Sequence, residues 1–175
     1  MYEESAAVPM IIAGPNVPVG VCDTPVSLLD LSATIATHFD ADLQTAAGVK
    51  DLPSIMAAPA DKNRVIFSEY HAAGAVSGAF MLRKGRWKLI HYIGFPDELF
   101  DLVTDPEETR NLASDPACAA ILQDLHAELR KICDPDKTDA QAFADQAALI
   151  ERHGGREAAL KLGAPGATPP PVTTT

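Results

Sequence analysis

Residues 64–113, RVIFSEYHAAGAVSGAFMLRKGRWKLIHYIGFPDELFDLVTDPEETRNLA, decide the fold of this chain. Residues 64–67, 78–83 and 87–93 read as short strands, with β-branched and aromatic side chains between glycine and aspartate breaks. Lys84 and Gly85 read as the turn between the last two, since glycine accepts positive φ at little cost. Residues 99–102 then close the sheet or its edge. Thr104, Asp105, Pro106, Glu107 and Glu108 follow as a helix start. Thr104 or Asp105 would cap the free amides, Pro106 suits the first turn, and Glu107 or Glu108 completes a capping box. From Asp115 and Pro116 a helix is expected to run to about Cys133. Its apolar stripe is Cys118, Leu122, Leu125, Leu129 and Ile132, with Asp124, Glu128 and Lys131 toward water. That stripe suits one face of the small sheet.

Outward from this unit the signals weaken. Residues 8–13 form an apolar run ended by Gly14 and Pro15, consistent with a buried strand of a larger sheet. Asp23 or Thr24 can cap a helix with Pro25 in its first position, and Val26, Leu29 and Ile35 keep helical spacing. Residues 41–62 read as a connecting loop. Residues 138–153 suggest a further helix with Phe143, Ala147 and Ile150 on one side, ended by Gly154 and Gly155. Residues 156–162 add a short helix, and 163–175, rich in Pro, Gly, Ala and Thr, read as disordered. The organisation expected is therefore 1–62, 63–134 and 135–175.

Composition narrows the function. A formal net charge of −10 in 175 residues would repel a phosphate backbone and argues against a nucleic-acid partner. No apolar run is long enough to cross a bilayer, and the start carries no charged-then-apolar leader, so no membrane association is expected. Cys22, Cys118 and Cys133 are odd in number and far apart, which fits free thiols in a reducing, cytoplasmic setting better than a disulfide scaffold.

Two strings, RKGRWKLIHY at 83–92 and ELFDLVTDPEETRNLA at 98–113, closely resemble the C-terminal subdomain of sulfatases, in the alkaline-phosphatase-like superfamily. Tyr2, Glu3, Glu4 and Ser5, through Val8-Pro9 and Gly14-Pro15, resemble the family segment just after its metal-binding Asp-His-Gly motif. Pro25 to Leu31 resembles the helix that follows. The chain departs from the family pattern at Ala7, usually arginine, and at Ala33, usually proline. The resemblance implies an α/β fold fragment: the end of a large central sheet, then a small antiparallel sheet packed by a helix, then a helical or disordered tail. It implies hydrolysis of small sulfate esters, with phosphonate monoesters as a relative. It also implies a formylglycine nucleophile from a C/S-x-P-x-R motif and a divalent cation, usually calcium. On this expectation those groups precede Met1, this chain holds no catalytic or metal-ligating residue, and alone it is inert. Cys133-Asp134-Pro135-Asp136-Lys137 imitates the nucleophile motif, but it follows the sheet strings, whereas the family motif precedes them. A helix end stopped by Pro135 explains it better.

Ser68, Glu69, Tyr70 and His71 are the best candidates for contact with substrate, as polar residues at a strand end and loop start. His71 could donate to a sulfate or phosphonate oxygen, or to the organic leaving group; the plainer role is a solvated turn residue beside a loop fixed by Glu69 and Tyr70. Arg83, Lys84, Arg86 and Lys88 could bind an anion, though strand alternation puts Arg86 and Lys88 in water and Trp87 and Leu89 inward. Asp101, Asp105 and Glu107 lack calcium-loop spacing and suit turns and caps. Glu3 and Glu4 suit either support of a catalytic lysine or a plain surface, and His38, His91, His126 and His153 show no partner that suggests a metal site. Residues 138–171 could reach a second copy and give a homo-oligomer. Against the hydrolase stand two alternatives: an acidic interaction module descended from a sulfatase, and a truncated, inactive reading frame.

Overall fold

Four antiparallel strands in chain order, β1 (Ile66–Tyr70), β2 (Ala79–Lys84), β3 (Trp87–Tyr92) and β4 (Glu98–Asp101), form the central sheet of the computed structural model. It describes residues 1–15, 17–41, 48–72 and 74–162. The expected disordered segment 163–175 lies outside the described residues. Met1–Pro135 forms one compact unit, and the described residues from Asp136 to 162 a second.

Register assigns the two faces. Phe67 pairs with Leu82, Leu82 with Leu89, and Leu89 with Leu99, so their side chains share one face. The helix α4 (Ala119–Ile132), entered by a short 3-10 turn at Pro116–Cys118, covers it with Leu125 and Leu129, both essentially solvent-free. Full burial contributes about 2 kcal/mol for each such leucine. Trp87, half-buried, packs at the margin of this cluster. Ile132, at the end of the expected stripe, remains exposed. Met81, Ile90 and Phe100 occupy the other face. Met1 and Ala6 pack there, flanking and ending the single-turn helix α1 (Glu3–Ala6), and the Tyr2 ring centroid lies 5.7 Å from that of Phe100.

That second cover corrects the reading of Lys88. Alternation does turn it away from Leu89, but toward the N-terminal segment rather than water, and it is wholly buried. Its Nζ lies 2.9 Å from Glu3 Oε1 and 2.7 Å from Glu108 Oε1. Glu3 therefore serves the fold, where a surface or lysine-supporting role was expected. Glu108 also accepts from the Glu3 amide at 2.5 Å, and it reaches both from a left-handed backbone, φ 51°. Such a backbone is sparsely populated for a non-glycine residue, and the two charged contacts hold it there.

The predicted helix at 104–108 does not form. Asp105 instead accepts from the amides of Thr109 and Arg110 and from the Thr109 hydroxyl, closing a turn, and helix formation waits for Asp115, which caps Ala117 N. The strand expected at 8–13 is also absent: the segment is irregular, and Val8 and Ile11 are 74 and 93% exposed. An isolated strand has no ladder partner, and no described strand lies beside it. β1 begins two residues later than expected and extends to Tyr70. In the β2–β3 hairpin Lys84 pairs with Trp87, so the loop is Gly85-Arg86. Gly85 takes φ +62°, and a Cβ there would lie 2.7 Å from Asn63 Oδ1.

The described residues between Thr24 and Arg64 gather around one carboxylate. Helix α2 (Leu28–His38) is capped by Ser27 and Asp30 rather than by Asp23 or Thr24. Asp30 is fully buried and receives Arg64 in a two-pronged pair, Nη1 to Oδ2 at 2.8 Å and Nη2 to Oδ1 at 2.7 Å. Burial pushes its carboxyl upward, yet Arg64 and the amides of Ser27 and Lys50 outweigh it and hold the group below the usual range. Within the expected loop 41–62 stands a further helix, α3 (Leu52–Ala57), capped by Asp51 and anchored by Leu52 N donating to Thr34 Oγ1 at 2.8 Å.

Beyond the first unit, α5 (Pro135–Arg152) and α6 (Arg156–Leu162) match the expected helices, separated by Gly154 and Gly155 at φ 85° and 89°. Pro135 opens α5, where it had been expected only to stop the preceding helix, because a first-turn proline forfeits no helical amide. Cys133 caps α4, half-buried against the sheet cluster.

Arg64→Ala would strand the buried Asp30 carboxylate and should cost about 3–5 kcal/mol, read as a lower urea midpoint; an unchanged midpoint rejects Asp30 as the organiser of this region. A second expectation concerns acid. Arg86 beside Asp101, aided by the Thr104 hydroxyl and the Val103 amide, holds the Asp101 carboxyl at about 2. An unfolded aspartate titrates near about 3.9, so this stabilisation is complete above that value and disappears as pH falls through the folded one. The wild-type melting temperature should thus drop between about pH 4 and about pH 2 more steeply than that of Asp101→Asn. Parallel curves would exclude the pair as a source of stability.

Candidate functional site

Alternation along β1 separates the polar residues that look contiguous in sequence. Glu69 stands opposite Phe80, which pairs with His91, on the face covered by α4. Tyr70 stands opposite Ala79, which pairs with Tyr92, on the face covered by the N-terminal segment. Ser68, Glu69 and Tyr70 are paired residues that end β1, and His71 opens the loop to β2, as expected.

On the Tyr70 side lies an open cleft of about 590 Å³, walled by Tyr70, Val76, Tyr92, Phe95 and Glu98, with Met1 at its margin. Glu98 accepts from Tyr2 Oη at 2.8 Å and from Tyr92 Oη at 3.1 Å. Burial first, then the Glu98 charge, pushes the Tyr92 phenol up to about 12, and the Glu98 hydrogen bond raises Tyr2 as well. Both phenols therefore stay protonated, as donors rather than nucleophiles. With Val76 and Phe95 largely exposed, the cleft offers apolar walls and a carboxylate already occupied, suited to holding an organic group rather than to bond cleavage.

The opposite face gathers a different set. His71 lies edge-on to Phe80, ring centroids 5.3 Å apart, with its Nε2 3.7 Å from Glu69 Oε2. Further along, Asp97 bridges two histidines: Oδ1 lies 2.7 Å from His91 Nδ1 and Oδ2 2.6 Å from His126 Nε2. Burial pushes the Asp97 carboxyl upward, but the contacts with His126 and His91 prevail and hold it well below the usual carboxylate range. Asn111 fixes the turn carrying Asp97, donating to the Asp97 carbonyl at 3.0 Å while its Oδ1 accepts from Leu99 and Ala113 amides. His91 and His126 thus have a shared partner that the sequence reading missed. The signal was faint: a histidine on the Phe80 face of β3, an aspartate across the next turn, and a helix histidine beside the buried Leu125.

Each basic residue of the hairpin meets a carboxylate, and Arg86 keeps the exposure that strand alternation led one to expect. Arg83 reaches Glu3, Lys84 reaches Asp124 and Glu128, Arg86 pairs with Asp101, and Lys88 holds Glu3 and Glu108. Glu128 consequently belongs to a sheet-to-helix ion pair as well as to the helix surface. Asp101 and Asp105 take turn and ion-pair roles: the first is engaged by Arg86 and Thr104, the second by the amides of Thr109 and Arg110.

Comparison with known proteins places this geometry. The family described as N-sulphoglucosamine sulphohydrolase, C-terminal, matches residues 1–134. The choline-sulfatase of Rhizobium meliloti is 34% identical over 117 residues, covering 66% of this chain and 23% of that protein. Arylsulfatase K of Danio rerio is 34% identical over 148 residues, covering 77% of this chain and 27% of that protein. The chain thus spans about a quarter of the length of these relatives. Among solved structures, one in complex with its substrate D-glucosamine-2-N,6-O-disulfate superposes with a TM-score of 0.51 at 23% identity, over 61% of this chain and 25% of that one, a likeness of fold.

Proposed function

This chain belongs to the N-sulphoglucosamine sulphohydrolase C-terminal family of sulfatases, and from that premise we propose that it forms the substrate-flanking C-terminal part of a sulfate-ester hydrolase. The observation that carries the reading is the continuous family match over residues 1–134, together with longer relatives, about a quarter of whose length the match covers, that are named as sulfatases. The exposed apolar side chains of the first forty residues support it. Val8, Ile11, Val19, Val21, Leu28 and Leu29 are each more than half exposed, a density that marks a surface meant to be covered. The remainder of the hydrolase fold is the proposed cover.

In this reading the cleft beside Tyr70 holds the organic group of a small sulfate ester, with a phosphonate monoester as the related substrate. Tyr70 and Phe95 would exclude water from that group, and Glu98 would keep the Tyr92 and Tyr2 phenols oriented. His71 and Glu69, on the other sheet face, would contact the substrate only from beyond this cleft, with Glu69 as the positioning partner of His71. A formylglycine nucleophile and a calcium ion, expected in the portion of the relatives that this chain does not match, would supply attack and charge stabilisation when present.

Assay against an aryl sulfate tests this directly. The purified chain alone should show no turnover, and a longer form including coding sequence upstream of Met1 should show it. Normal turnover by the isolated chain would refute the assignment, and absence of any in-frame upstream coding would favour a non-catalytic module instead. In the longer form, Tyr70→Ala should raise KM about tenfold, about 1.4 kcal/mol, with a smaller effect on kcat. Equal KM values would remove Tyr70 from the substrate, and unchanged kcat/KM in His71→Ala would remove His71.

A further inference from the structure

The structure assigns a divalent transition-metal site to His91, Asp97 and His126. One ligand atom from each, an imidazole nitrogen from the two histidines and a carboxylate oxygen from Asp97, lie within 4.8 Å of one another. Zinc bonds to such donors are about 2.0–2.2 Å long, and a tetrahedral set at that length separates ligand atoms by about 3.3 Å. The 4.8 Å limit accommodates that value, and the nitrogen–oxygen pairs at 2.7 and 2.6 Å, made to the two different Asp97 oxygens, would open by several tenths of an ångström around a bound ion. The three groups come from β3, the following turn and α4, so the backbone holds them together without help from local sequence. Two imidazoles and a carboxylate favour a borderline ion such as zinc over calcium or magnesium, which prefer all-oxygen shells. The side chains retain 19, 19 and 27% exposure, leaving a fourth position open to water and an entry path for the ion. The chain's net charge of −10 draws cations toward it. Binding requires a free lone pair on the imidazole nitrogen that faces Asp97 in each histidine, so the ion takes the place of any proton held there. A bound ion would tie α4 to the sheet and to the turn that Asn111 already fixes, and so would stabilise the folded state by mass action. Nothing in this assignment depends on the hydrolase reading.

Titration calorimetry of the full chain, stripped by chelator and then given zinc chloride, should show one saturable equivalent and a raised melting temperature. Cobalt in place of zinc should give the visible bands of a tetrahedral site without the near-ultraviolet thiolate band that Cys22 or Cys133 would produce. His91→Gln, Asp97→Asn and His126→Gln should each abolish the equivalent, whereas a His38→Gln, His153→Gln double variant should retain it. Far-ultraviolet circular dichroism of the metal-free variants checks their fold. Should any be unfolded, imidazole NMR of the wild type decides: zinc must perturb the His91 and His126 rings. No saturable equivalent, a thiolate band, retention in folded His126→Gln, or perturbation confined to His38, His71 and His153 would each overturn the site.

Discussion

A lysine ammonium without solvent is tolerable only where carboxylates meet it, and Lys88 in β3 imposes that condition on the whole first unit. Taking such a charge from water costs several kcal/mol, so the fold must deliver partners with good geometry. They come from far away in sequence: Glu3 from α1 and Glu108 from the turns after β4. Their convergence seats the N-terminal segment on the Met81, Ile90 and Phe100 face and keeps Glu108 in an unfavourable left-handed backbone. Arg83, on the same face, extends the pairing to the second Glu3 oxygen. Asp30 and Arg64 repeat the device in the preceding region, where one buried carboxylate collects α2, the Lys50 amide and Arg64, which also donates to the Gly48 carbonyl.

The sheet that results has two differently employed faces. One is sealed by α4 through leucine packing, and its far end carries the His91, Asp97 and His126 group. The other is sealed by the N-terminal segment and opens at its end into the cleft beside Tyr70. Because side chains alternate across a strand, neighbours such as Glu69 and Tyr70 serve opposite faces, whereas Glu69 and His91 share one. The chemistry available at each end is thus a consequence of register. A one-residue slip would exchange the two sets.

Much of this architecture is legible in the chain itself. The strands themselves, the hairpin between β2 and β3, the helix opening at Pro116 and the two helices divided by Gly154 and Gly155 follow from turn residues and apolar spacing, and the antiparallel sheet follows from the family resemblance. The family is legible too, since the strings at 83–92 and 98–113 combine several motifs in order. Capping patterns were less trustworthy. Thr104 to Glu108 has every residue of a helix start, but Asp105 uses its carboxylate to close a turn, and Glu108 turns inward to Lys88. Likewise Val8 to Ala13 has strand composition, yet strand formation requires a neighbouring edge that no described strand supplies.

Local sequence therefore determined the sheet, its covering helix and the kinship, because periodicity, turn chemistry and motif order act over short distances. Tertiary structure alone decided which charges are buried, which face each polar residue serves, and that His91 and His126 meet at Asp97. Those outcomes depend on what packs over each face. A partner dozens of residues away leaves no local pattern from which it can be read.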